Sequence, residues 1–177
     1  MNDLTKKAYH FAVMAHTGQV RRGGEPYIFH PMGVALQVAK VVEDTDMIAA
    51  ALLHDVIEDT RITKEDLTVE FNENIANLVQ ELTIDQKQKE ILGKKVYLGI
   101  EILKMTDEAL LIKLADRFHN VRDLITLDDI EFIKLYYKET IYILEKLSTR
   151  NVTENHLTIL YKLFRVLRAI NTMFDLE

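Results

Sequence analysis

After Pro31 this sequence contains no further proline, and beyond that point only Gly33, Gly93 and Gly99 offer glycine. Strands and hairpins need turn residues every few positions, so a chain this short of them must build its fold from helices. The apolar spacing agrees, with Leu4, Ala8, Phe11, Ala12 and Ala15 recurring on one helical face. The expected fold class is all-α, a helical bundle. Flexible residues gather early instead: Gly18, Gly23, Gly24 and Pro26 mark a loop over 18–29 that also holds Arg21 and Arg22. Pro31 suits the first turn of the next helix, where its missing N–H costs nothing, and Val34, Leu36, Val38, Val41 and Val42 continue it. Thr45 or Asp46 caps a helix running from Met47 to about Asp59. Thr63 caps a short one, with Glu65 and Asp66 in its first turn. Further helices are expected at about 73–82, 87–105, 107–121, 128–148 and 154–173, with Thr106 and Thr153 as N-caps.

A chain of 177 residues is long enough for one sizeable core, and neither a repeat nor a linker divides it. One domain over 1–177 is the expectation. It has no cysteine, which excludes disulfides and thiolate metal sites, so any metal must take nitrogen and oxygen ligands. The net charge of -6 disfavours nucleic acid, whose binding needs basic patches. A phosphorylated small molecule stays compatible, because a metal or a few arginines reverse the field inside one cleft. The first residues lack the pattern of a signal peptide, and no apolar run approaches the roughly 20 residues of a membrane span. A cytoplasmic protein with neither nucleic-acid nor membrane partner is expected. The last helix is read either as packing on the core or as serving a second copy, which leaves room for a homo-oligomer.

Three segments carry chemistry. In Ala49–Thr60 a helix that is apolar nearly all round suddenly presents His54, Asp55, Glu58 and Asp59. On a helical wheel these fall at roughly 0°, 100°, 40° and 140°, one side of the helix. Carboxylates so close repel one another, and a divalent cation removes the conflict; the alternative is a helix that simply emerges into solvent at His54. In Lys113–Asn120, the residues Lys113, Asp116 and Asn120 form a polar stripe in apolar surroundings, which is also what an exposed amphipathic face looks like. The third is His30, just before Pro31, a ligand or a hydrogen-bonded structural residue. Taken together, two imidazoles and two carboxylates make a mixed nitrogen and oxygen set suited to Mn, Fe, Co or Zn. Glu58 and Asp59 lie one turn from His54 and Asp55, where a proton acceptor for an activated water belongs.

The His54-Asp55 pair, with Glu58-Asp59 and a distant Asp116, resembles the HD-domain metal-dependent phosphohydrolases. More narrowly, it is similar to the (p)ppGpp hydrolases of the RelA/SpoT type, including their stand-alone small forms. Three segments carry the resemblance in order: Ala15–Pro31 (AHTGQVRRGGEPYIFHP), Ala50–Thr60 (AALLHDVIEDT) and Lys113–Leu124 (KLADRFHNVRDL). The motif-bearing core is thus about 5–125 of a single HD-type domain, followed by C-terminal helices over about 128–173.

The resemblance implies metal ligands at His30, His54, Asp55 and Asp116, with manganese as the cation, and a catalytic acidic pair at Glu58 and Asp59. It places Arg21 on a guanine ring, Arg22 beside it, and Asn120 near a ribose. Lys113 is read as a phosphate contact or a surface lysine, and Tyr27 as pocket or core. His119 is read as structural, with support of a ligand as the alternative; His10 and His16 are read as solvent-facing or core. The implied reaction is hydrolysis of the 3′-pyrophosphate of guanosine tetra- or pentaphosphate to GDP or GTP and pyrophosphate. The alternatives are the same chemistry on another nucleotide or phosphorylated metabolite, and a non-catalytic nucleotide sensor. The family's Phe-Gly reads Phe71-Asn72 here, and lysines (Lys87, Lys89, Lys94, Lys95) stand where arginines often precede the third motif. No synthetase segment accompanies the resemblance, so hydrolysis alone is expected.

Overall fold

The computed structural model describes residues 2–176. Among these, every regular element is helical, and the only β-type pairing is an isolated bridge between Val20 and Pro26. In chain order the helices are α1 (Asp3–Ala15), α2 (Phe29–Val38), α3 (Thr45–Leu53), α4 (Val56–Asp59), α5 (Lys64–Glu70) and α6 (Glu73–Leu82). They continue with α7 (Gln86–Leu92), α8 (Lys94–Lys104), α9 (Asp107–Asp123), α10 (Ile130–Leu147) and α11 (Glu154–Phe174). The chain is an all-α helical bundle.

α9 runs through the middle, packed by α11 and α2, while α3 is sandwiched between α1, α2 and α6. Helices covered on several sides bury residues on more than one face, and both do, α3 with apolar side chains nearly throughout and α9 with buried Asp116, Arg117 and His119 among its apolar ones. In α3, Ala49, Ala50, Ala51 and Leu53 are fully buried; in α9, Leu110, Ile112, Leu114 and Ala115 are buried. The alanines let neighbouring backbones approach closely, which is how three helices share the flanks of α3.

Two expected helices are each broken in two. The helix expected from Met47 to Asp59 stops at Leu53 and resumes at Val56. The His54 side chain makes the break: Nδ1 donates to the Ala51 carbonyl at 2.9 Å, satisfying a group that the helix end leaves free. The wheel drawn for an unbroken helix therefore does not describe how the four ionisable groups meet. The stretch 87–105 is divided at Gly93, whose φ of 76° suits glycine and ends α7. Val41 and Val42 lie beyond the end of α2. The cap before Met47 is Asp44, accepting from the amides of Asp46 and Met47, rather than Thr45 or Asp46. Thr63 closes a capping box with Asp66, and Thr106 and Thr153 stand at the N-caps of α9 and α11.

Candidate metal centre and adjoining cleft

Three separate elements bring ligand-type atoms together. α2 delivers His30 from its first turn, the break between α3 and α4 delivers His54 and Asp55, and α9 delivers Asp116. His30 Nε2 lies 3.2 Å from Asp116 Oδ1 and 3.6 Å from Asp55 Oδ2. His54 Nε2 lies 3.1 Å from Asp55 Oδ2 and 3.9 Å from Asp116 Oδ1. One ligand atom each from His30, His54 and Asp116 falls within 4.8 Å of the others. Asp55 borders this trio, and its Oδ2 also accepts the Tyr27 hydroxyl at 2.6 Å.

The donor set fits a divalent cation. With Nδ1 of His54 committed to a backbone carbonyl, Nε2 carries only a lone pair in the neutral ring. That nitrogen is buried without a hydrogen-bond partner and sits against a carboxylate, lone pair facing lone pair. A cation between them resolves the conflict. In its absence a proton must serve. Burial pulls the His54 imidazole down, but the Asp55 and Asp116 carboxylates outweigh it and lift the group to about 9. For Asp116, burial opposes ionisation, yet Lys113 at 3.2 Å and the two imidazoles hold the carboxyl well below the usual range. For His30 burial prevails over Asp116 and lowers the pKa, keeping that ring neutral.

A second layer orients these groups. His119, 5 % exposed, places Nδ1 3.2 Å from Nδ1 of His30 and 3.4 Å from Asp123 Oδ2. It reaches His30 only because residue 33 is glycine; a Cβ there would lie 1.9 Å from His119 Nε2. His119 is thus hydrogen-bonded to His30 from behind, in a buried contact. Glu58 and Asp59 line the same cavity, of about 180 Å³, and both carboxyls are raised, chiefly by burial. Lys113 tempers the rise for Glu58, and the charge of Asp55 adds to it for Asp59. Glu58 also accepts the Ile84 amide at 3.3 Å. Lys113 is no surface lysine: its side chain is 13 % exposed and points into the cavity.

Beside it opens a larger cleft of about 670 Å³, sharing Tyr27, Asn120 and Tyr136 with the metal cavity. Arg21 is set in its wall by bonds to Asn120 Oδ1 at 2.9 Å and Asp123 Oδ2 at 3.0 Å. Arg22 also lines this cleft, but it pairs with Asp129 at 3.0 Å, its guanidinium 4.0 Å from the Phe132 ring centre. The two arginines therefore sit in the cleft and not in the metal cavity. Sequence reasoning missed a further group lining that cavity: buried Arg117 bonds Glu139 at 2.7 Å, and Lys94 bonds the other oxygen of Glu139 at 3.3 Å. No spacing rule connects positions on three different helices, so only the polar residues buried in apolar context hinted at them.

The HD domain family matches residues 8–153. The bifunctional (p)ppGpp synthase/hydrolase SpoT of Escherichia coli strain K12 is 41% identical over 124 residues, covering 67% of this chain and 18% of the relative. A guanosine-3′,5′-bis(diphosphate) 3′-pyrophosphohydrolase of Aquifex aeolicus is 39% identical over 147 residues, covering 82% of this chain and 21% of the relative. The chain thus spans about a fifth of the length of such relatives. The solved structure of a metazoan ortholog of SpoT, a protein that hydrolyzes ppGpp, superposes with a TM-score of 0.77 at 27% identity. It covers 100% of this chain and 98% of its own. The two imidazoles and the carboxylate that converge here all lie inside the matched span, and the chain belongs to the HD-domain family.

Proposed function

We propose that this protein hydrolyses the 3′-pyrophosphate of guanosine tetra- or pentaphosphate, releasing GDP or GTP and pyrophosphate, with manganese as its cation. The observation that carries the proposal is the junction of two spaces. A small cavity ringed by His30, Asp55 and Asp116 opens, past Tyr27 and Asn120, into a cleft with room for a nucleoside. Relatives named as pyrophosphohydrolases of this nucleotide add support, as does the likeness over the full chain to a ppGpp hydrolase.

In this reading His30, His54, Asp55 and Asp116 hold the cation. A divalent ion, when bound, supplies a water more acidic than bulk and a polarised phosphoryl oxygen. Asp59 and Glu58 are the proton acceptors, and burial, which raises both carboxyls, makes them better bases than exposed acids. Lys113 offers its charge to the phosphate under attack, Arg21 lays its planar guanidinium on the purine, and Asn120 bonds the ribose. Arg22 supplies positive potential from the rim while it stays paired with Asp129.

The test is incubation of purified protein with guanosine tetraphosphate and Mn²⁺, with products separated by charge. GDP and pyrophosphate are expected in equal amounts. An unchanged substrate, or release of single phosphates, overturns the proposal.

A further inference from the structure

The last helix has two faces, and the core uses only one. Along α11, His156, Ile159, Leu160, Leu163, Leu167 and Ile170 are buried, and α9 is the helix it packs against. The opposite side carries Leu157, Tyr161 and Phe164, which are 53 %, 65 % and 52 % exposed. Single exposed apolar residues are ordinary on a protein surface. These three instead recur at helical spacing and make one stripe: with Tyr161 at zero, Leu157 and Phe164 fall at roughly −40° and −60°. α2 stands alongside, tied by a bond of 3.1 Å from Lys162 Nζ to Gln37 Oε1, and exposes Met32 and Leu36.

Charges of opposite sign sit at the two ends of the stripe. Glu154 lies seven residues before Tyr161 and Arg168 seven after it, at roughly 20° and −20° on the same wheel. Both are exposed, and among the described residues neither is in an ion pair. Leu157 precedes Tyr161 by four positions, and Phe164 follows it by three. Such a pattern is its own complement when reversed. A second copy laid antiparallel across a two-fold axis at Tyr161 brings Leu157 against Phe164 of the other copy, once on each side of the axis. The two Tyr161 rings meet in the centre, and Glu154 faces Arg168 at each end. A parallel pairing offers no such match, because it sets Glu154 beside Glu154 and Arg168 beside Arg168.

We propose that the exposed face of α11 is the contact through which two copies of this chain associate, as an antiparallel two-fold dimer. Aromatic and arginine side chains suit such a surface, since these types are enriched where proteins meet. Burying the stripe removes apolar area from water, and the end pairs fix the direction and register of the two helices. A contact confined to one helix pair is smaller than the roughly 800 Å² per partner of a standard interface, so a dimer of micromolar affinity is expected. The inference does not depend on the reaction proposed above.

The test is sedimentation equilibrium of the full chain at low salt, over about 1–500 µM, where micromolar association is visible. A monomer–dimer equilibrium is expected for the wild type. Tyr161→Glu sets two like charges on the axis and should leave only monomer, with an unchanged helical circular dichroism spectrum. Glu154→Arg and Arg168→Glu should each weaken association by about 5- to 30-fold, the effect of turning two exposed attractive pairs into repulsive ones. Combined in one chain, the two exchanges should restore wild-type affinity, a recovery that only the antiparallel register gives. The proposal is overturned by a wild type that stays monomeric throughout the range, by a dimer untouched by Tyr161→Glu, or by a double exchange no tighter than the single ones.

Discussion

Replacing Gly33 with alanine adds one methyl group and sets two effects against each other. Gly33 lies inside α2, where glycine to alanine ordinarily stabilises by up to about 1 kcal/mol. The new Cβ, however, would stand 1.9 Å from Nε2 and 2.2 Å from Cδ2 of His119. Ordinary contact between such atoms is roughly 3.5–4 Å, so the ring must retreat by well over an ångström. Overpacking of this kind costs about 1–3 kcal/mol. The retreat also breaks the 3.2 Å bond to His30, stranding buried polar groups at about 1–3 kcal/mol more. After the helix gain is subtracted, a net loss of about 1–5 kcal/mol remains, and sterics win. Urea unfolding of the metal-free protein should show that loss, and a cation titration should show affinity weakened by about 10- to 100-fold, the scale for losing support behind a ligand. Gly23→Ala is the control, since nothing lies within 4 Å of its added carbon. If Gly33→Ala unfolds within about 0.5 kcal/mol of wild type and binds metal equally, the argument from His119 fails.

Glu58→Gln should keep its metal, because the Glu58 carboxylate bonds the Ile84 amide and pairs with neither His30 nor His54, while kcat falls by about 10²–10⁴-fold; parallel metal analysis and steady-state kinetics check this, and loss of metal from the variant would reassign the residue. In metal-free protein, His54 is raised from 6.5 to about 9, so its stabilising contribution is full below pH 6.5 and disappears as pH climbs through 9. Melting temperatures should therefore fall across that window and flatten when a divalent cation takes the proton's place; an unchanged slope with metal would count against the shared site. Glu139→Ala leaves buried Arg117 without its 2.7 Å partner and should cost about 3–5 kcal/mol in urea unfolding, as removal of one buried ion-pair member does. A cost below about 1 kcal/mol would mean that water reaches the guanidinium.

The helical class and most element positions were legible in local signals. The lack of turn residues after Pro31, the all-round apolarity of Ala49–Leu53 and the caps at Thr63 and Thr106 act within a few residues of where they are read. The motif segments around His30, His54 and Asp116 were legible by resemblance, which brought no distances with it. The break after Leu53 was not, because it depends on where an imidazole turns, and a helical wheel assumes that the backbone continues.

By itself, then, the sequence determined that this chain is a helical bundle, which segments carry its ionisable groups, and that any cation must be met by imidazole and carboxylate. Tertiary structure alone decided that His119 stands behind His30, that Glu139 joins Arg117 and Lys94, and that Gln19 ties His16 to Asp59. Caps and periodicity are set by neighbours along the chain. Hydrogen bonds between buried side chains are set by which helix faces meet, and that is settled only when the whole core packs.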